Sequence, residues 1–161
     1  MAVDYFLKLD GIEGESHDDK HKNEIDLHSW SWGETQTGTH SAGGGGGAGK
    51  VDMQDFHFVM SVNKASPKLM LACASGEHIK KATLTCRKAG KDQQPYMTVV
   101  MTDLLVASYQ TGGSGHGNEV PNDQISLNYA KIEWEYKEQK PDGTLGGAIK
   151  AGWDLKANKK V

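Results

Sequence analysis

The sequence predicts a mainly β domain, closed or sandwiched, with seven or eight strands and one short helix. Apolar and polar residues alternate with a period of two, glycine-rich loops separate the alternating segments, and only one segment carries helix signals. A chain of this length can bury about 70% of its surface, which suffices for one core. We therefore expect a single domain over residues 1–161.

Three alternating segments precede the helix, and each places its apolar side chains on one face of a strand. They are Val3, Tyr5, Leu7 and Leu9, then Ile25 and Leu27, and later Phe56, Phe58, Met60 and Val62. After Leu27 the parity changes, because Trp30 and Trp32 occupy even positions. This change near His28 and Ser29 predicts a bulge or a strand that passes from one sheet to the next.

A short helix is predicted to follow Ser66. Ser66 is a favourable N-cap, Pro67 suits the first helical position, and Gly76 can adopt the left-handed conformation that ends a helix. The predicted apolar stripe consists of Leu69, Met70 and Cys73. Two to three turns are not stable alone in water. We therefore expect the helix to dock on the barrel, where it can plug one end.

Further strands are predicted after the helix. In the first of them Ala82, Leu84 and Cys86 point inward, with Lys81, Thr83, Thr85 and Arg87 outward. Met97, Val99 and Met101 mark the next, and a longer strand from Gln124 to Glu138 changes phase near Ala130. The last apolar pair is Trp153 and Leu155, and all four tryptophans (30, 32, 134 and 153) fall on predicted core parities.

Composition excludes several classes of protein. The formal net charge is −3, so there is no basic excess for a nucleic-acid backbone. No apolar run reaches the ~18 residues of a membrane span, and the N-terminus lacks the basic and apolar regions of a signal peptide. Two cysteines, Cys73 and Cys86, cannot build a disulfide framework. We therefore expect synthesis and folding in a reducing cytoplasm, without stable membrane insertion.

Two motifs invite a ligand hypothesis, and neither meets its requirements. Gly44, Gly49 and Lys50 match most of a phosphate-binding loop, but Val51 replaces the required Ser or Thr and no helix is predicted to follow. His17 and His21 would share a helix face as metal ligands, but the segment around them lacks an apolar stripe. A flexible glycine loop and a solvated polar loop are the favoured interpretations, so no metal or cofactor is expected.

Candidate nucleophiles are similarly isolated. Ser114 lacks the full spacing of a nucleophile elbow and the strand-to-helix context that such an elbow needs. Cys73 and Cys86 lie on predicted core positions, where a thiol is inert. No catalytic constellation is found, and an enzyme is the third interpretation, after a structural protein and a free-standing binding barrel.

The chain resembles a known family from Met1 to Trp153. The resemblance rests on segments that occur in a fixed order: residues 24–26 through Trp30–Gly33, the glycine loop closing on Gly49 and Lys50, residues 55–59, 66–70, Ser75 and Gly76, residues 87–90 and residues 108–115. With these segments the chain is similar to the haemolysin-coregulated protein (Hcp) family, the inner-tube subunit of the bacterial type VI secretion system.

The resemblance implies a small β-barrel of two sheets with one short helix at its side. It also implies homohexameric rings that stack into a hollow tube, which a contractile sheath ejects from the cytoplasm beneath a spike, with effectors carried in the lumen. The alternative is a free-standing small-ligand-binding β-barrel of lipocalin or OB type, which would have an aromatic mouth with convergent polar groups.

Three sets of residues are expected to serve the tube. Ser31 projects away from the core because its neighbours Trp30 and Trp32 point inward, so it either faces cargo in the lumen or is an ordinary exposed serine. The loop with five consecutive glycines is expected to order against the next ring (Gly43, Gly44, Gly45, Gly46, Gly47). Two strand faces are expected to supply ring contacts or line the lumen (Lys131, Glu133, Glu135, Lys137, and Thr83, Thr85, Arg87).

Overall fold

The computed structural model describes residues 3–38, 48–88, 93–117 and 120–161. Within these ranges it contains eleven strands and one helix, so the mainly β prediction is confirmed. The elements are β1 (Val3–Leu9), β2 (Ile25–Asp26), β3 (Ser29–Ser31), β4 (Glu34–Gly38), β5 (Ala48–Met53), β6 (Phe56–Ser61), α1 (Ser66–Ser75), β7 (Ile79–Lys88), β8 (Pro95–Gly112), β9 (Asn122–Gln139), β10 (Leu145–Asp154) and β11 (Lys159–Lys160).

Strand β9 organises the antiparallel sheet. It pairs with β8 along nearly its whole length, from Asn122 opposite Gly112 to Tyr136 opposite Met97. On its other side the first half pairs with β6, which pairs in turn with β3, and the second half pairs with β10. Beyond β8 the order continues through β7 and β1 to β2, and β4 and β5 form a separate two-stranded sheet. The expectation of two sheets with one helix is confirmed.

The predicted change of phase near His28 and Ser29 is a transfer of the chain between strands. The amide of Leu27 donates to the carbonyl of Tyr5 on β1 (3.0 Å), and the next amide, of His28, donates to the carbonyl of Val59 on β6 (2.8 Å). The chain therefore leaves one edge and joins another within a single residue. Because β2 and β3 are not one continuous ladder, the hydrogen-bonded sheets are not closed.

The second predicted change of phase is confirmed in β9. Ile125, Leu127 and Tyr129 are buried, and then Ile132 is buried at the opposite parity. On β8 the residue opposite Ala130 is Asp103, which has a φ of +52°. Such a left-handed residue inside a strand shifts the pleat, so the buried positions on β8 also change, from Met101 to Leu104. The sequence did not predict this partner distortion.

The helix differs from its prediction at its start. It begins at Ser66, its N-cap position is Ala65, and no side chain caps it. The Ser66 hydroxyl instead donates to the buried carboxylate of Asp123 on β9 (2.6 Å), which ties the helix to the sheet. The predicted end is confirmed, since Gly76 has a φ of +68° and its amide donates to the carbonyl of Ala72.

The helix packs on the sheet through a different stripe from the predicted one. Leu69 and Ala72 are buried, whereas Met70 is 51% exposed and Cys73 is only partly buried. The prediction is therefore correct for Leu69 and wrong for Met70, because the buried side of the helix consists of Ser66, Leu69 and Ala72. None of the described helical segments is long and apolar enough to cross a membrane.

Candidate functional site

An uncharged sheet face surrounds Ser31. Strand pairing places Ser31 on β3 in one row with His57 on β6, Ser126 on β9 and Ser108 on β8. The neighbouring row consists of Ser29, Val59, Gln124 and Gln110 on the same four strands. We call these eight residues the Ser31 face: Ser29, Ser31, His57, Val59, Ser108, Gln110, Gln124 and Ser126. Ser31, Gln110 and Gln124 are exposed. The face contains no Asp, Glu, Lys or Arg.

Short side-chain contacts hold the histidines of this region. One ring nitrogen of His57, Nδ1, lies 3.2 Å from the Ser126 hydroxyl within the Ser31 face. Beside the face, His28 Nε2 lies 2.7 Å from the Ser61 hydroxyl. Ser31 was predicted to lie on this face, but its row partners were not. Their signal was present, because Ser126 and His57 have the parity opposite to their buried neighbours Ile125 and Phe58.

The second half of β9 carries a charged face. Lys131, Glu133, Glu135 and Lys137 point away from the core and form ion pairs along the strand, with N···O distances of 3.6 Å for Lys131–Glu133 and 3.8 Å for Lys137–Glu135. Lys150 on β10 adds a third pair with Glu135 at 3.6 Å. These partly exposed pairs neutralise one another. Whether this face contacts another copy or lines a lumen stays a prediction.

The other predicted strand face is largely covered. Thr83 is partly exposed, but Thr85 is 8% and Arg87 only 2% exposed. The expectation that Thr85 and Arg87 lie on an open strand face is therefore wrong. The chain between β1 and β2, predicted as a solvated loop, lies over them, and its Ser16 is buried and bonded to Asn23 and Glu24 through the backbone.

A buried arginine fastens this covering segment. The guanidinium of Arg87 donates to both carboxylate oxygens of Asp18, at 3.0 Å from Nη1 and closer from Nη2, and to Asp4 Oδ2 at 3.3 Å. It also lies 4.7 Å above the ring of Phe6, against which the imidazole of His21 stacks. Hydrogen bonding by Arg87 lowers the pKa of Asp18 to about 2. No local pattern could predict this contact, because Asp18 and Arg87 are sixty-nine residues apart in the chain.

The remaining candidates do not form a reactive site. Ser114 lies in an exposed turn and accepts a bond from the amide of His116. Burial raises the pKa of the Cys86 thiol to about 12, so it stays protonated, in agreement with the prediction of an inert thiol. His21 bonds to Glu24 at 2.9 Å, and no group of three metal-ligating side chains occurs in the described ranges. Residues 43–47 lie outside those ranges.

The tryptophans differ in their surroundings. Trp30 packs between Tyr5 and Phe56 at the edge of the core. Trp32, Trp134 and Trp153 line an open groove instead. The prediction of core positions therefore holds only in part, because Trp32 and Trp134 pack against the core while the groove that they share with Trp153 is open on one side.

Comparison with known proteins gives consistent matches. The family described as "Type VI secretion system effector, Hcp" matches residues 6–136. The chain is 49% identical over 160 residues to "Protein hcp1" of Pseudomonas aeruginosa, covering 98% of both. It superposes on the crystal structure of Hcp1 from Salmonella typhimurium with a TM-score of 0.82 at 40% identity, covering 100% of both chains. A type six secretion system protein gives a TM-score of 0.94 at 33% identity, covering 99% of this chain and 100% of that one.

Proposed function

The chain belongs to the Hcp family of type VI secretion system proteins, and from this premise we propose that it is a structural tube subunit. Six copies close into a ring, and rings stack into a hollow tube. The Ser31 face lines the lumen. One observation carries the proposal: the sheet that bears this uncharged face has two edges with which no described strand pairs.

The free edges belong to the sheet that bears Ser31. Its strand order is β3, β6, the first half of β9 and the second half of β8. Among the described strands nothing pairs with the far side of β3, and β7 leaves β8 at Leu104. A ring of identical subunits needs two different, complementary patches on each subunit. The edge of β3 and the edge of β8 supply such a pair, because unpaired strand edges favour pairing with another chain.

The neutral character of the Ser31 face suits a passage for cargo. Serine and glutamine side chains offer both donors and acceptors without a fixed charge, so effector proteins of either net charge can lie against them. Ser31 is a small side chain at the β3 end of its row. Spike and sheath are the other partners in this proposal, which places the chain in the cytoplasm before it is secreted. No catalytic step is part of it.

Measurement of mass in solution tests the ring. We expect light scattering to give six times the 17.5 kDa of the chain, and electron microscopy to show a ring with a central hole. A monomer over a wide concentration range would contradict the ring and favour the free-standing ligand-binding barrel.

Stacking is assigned to the glycine-rich loop. Glycine loses the most conformational entropy on ordering, so a loop that orders between rings contributes only weakly to their affinity. We expect deletion of Gly43–Gly47 to leave the fold and the ring mass unchanged while sedimentation of stacked tubes is lost. Loss of the rings themselves would make the loop a lateral element, and unchanged stacking would make it a passive insertion.

A further inference from the structure

An apolar groove lies between the β4–β5 hairpin and the core side of β9 and β10. Its volume is about 780 Å³. The lining is mostly aromatic and aliphatic: Trp32, Val51, Met53, Ile132, Trp134 and Trp153. We call it the tryptophan groove. The hairpin that forms one wall is a separate two-stranded sheet, and β4 is exposed along its whole length. A two-stranded sheet of this kind is only marginally stable in water without further packing.

The polar groups of the groove give it little to offer except one charge. The indole N–H groups of Trp134 and Trp153 are buried away from its surface, and the indole of Trp32 donates to the hydroxyl of Tyr129. The groove therefore offers an occupant mainly apolar surface, and Glu34 in the lining favours a basic group beside that surface.

The outer side of α1 has the complementary chemistry. Pro67, Met70, Leu71 and Ala74 are exposed at helical spacing and form an apolar ridge, in which Met70 is 51% and Leu71 61% exposed. Lys68 is exposed one turn before Leu71.

We propose that the α1 ridge of one copy docks in the tryptophan groove of the next copy in the ring. This inference rests on the proposed ring. Trp32 follows the free edge of β3 directly, and α1 packs against β8, which supplies the other free edge. Joining the two edges therefore brings the ridge of one copy toward the groove of its neighbour, with Lys68 facing Glu34.

A pair of exposed-residue variants tests the ridge. We expect Leu71→Asp to raise the concentration needed for ring formation at least tenfold, because the carboxylate would enter an apolar groove. The matched control is Ile149→Asp on β10, since Ile149 is even more exposed, at 69%, and lies outside the groove. It should assemble as the wild type does. Circular dichroism of both monomers checks that the fold is unchanged. Assembly of Leu71→Asp at wild-type concentrations would overturn the proposal.

A charge exchange provides a second, independent test. Glu34→Lys should weaken assembly several-fold by placing two lysines together, and Glu34→Lys with Lys68→Glu should restore it. A double variant no better than the single one would overturn the docking while leaving the ring proposal intact. A wild-type chain that stays monomeric would instead refute the ring itself, so the two failures are distinguishable.

Discussion

The two halves of β9 form one continuous strand, but their outward-facing side chains differ in charge. Residues of the first half, Gln124 and Ser126, belong to the uncharged Ser31 face, whereas Lys131 to Lys137 in the second half form ion pairs. A soluble surface normally mixes charges of both signs, as the second half does. An exposed face without charge offers no such solubility advantage, and this contrast is one reason for the proposal that the first half of β9 faces the lumen.

Charged residues on the same outer side of the sheet also differ in how deeply they are buried. Lys131 and Glu133 are 32% and 40% exposed, but Arg87, two strands away, is 2% exposed beneath the covering segment. An exposed ion pair contributes little to the stability of the fold because water screens it. Removing one partner of a buried pair costs more, because an uncompensated charge is left behind.

Replacement of Arg87 should give the largest effect. We expect Arg87→Ala to lower the free energy of unfolding by about 3 kcal/mol, the lower end of the range for buried pairs, because Asp4 and Asp18 lose their partner but are themselves 35% and 20% exposed. The matched exposed variant, Lys131→Ala, should cost less than about 1 kcal/mol. Urea denaturation of both variants measures the difference, and equal costs would show that the covering segment does not exclude water from Arg87.

Acid should weaken the pair of Arg87 and Asp18, so that its contribution to stability falls as the pH falls. The pKa of Asp18 is lowered from 3.8 to about 2 by the hydrogen bond from Arg87, so its contribution is complete above about pH 4 and disappears as the pH falls toward 2. We expect the stability difference between the wild type and Asp18→Asn to be constant near neutral pH and to shrink in this acid window. A difference independent of pH down to 2 would contradict the assigned pair.

Local pattern predicted most of the fold and part of the site. The period of two located the main strands, and the parity changes near His28 and Ala130 correctly marked two irregularities. Parity also placed Ser31 on the outside. It failed where a distant segment decides the environment: Arg87 and Thr85 have outward parity, but the segment carrying Asp18 covers them.

The helix shows the same limit of sequence reasoning. A serine hydroxyl can cap a helix, but the hydroxyl of Ser66 donates to Asp123 on β9 instead. The predicted stripe was Leu69, Met70 and Cys73, and of these only Leu69 is fully buried, while Ala72 takes the next buried position. Choices of this kind depend on tertiary partners, which helix propensity and spacing do not contain.

Cargo retention tests most directly whether the Ser31 face, and not the charged face, lines the lumen. The measurement is pull-down of an effector of the same secretion system, co-expressed with rings carrying Ser31→Arg or, as the matched control, Glu133→Arg. We predict that Ser31→Arg lowers the retained effector at least tenfold, with ring mass unchanged, because six bulky charges would crowd the lumen, and that Glu133→Arg retains it. Unchanged retention by Ser31→Arg, or loss only in Glu133→Arg, would contradict the account.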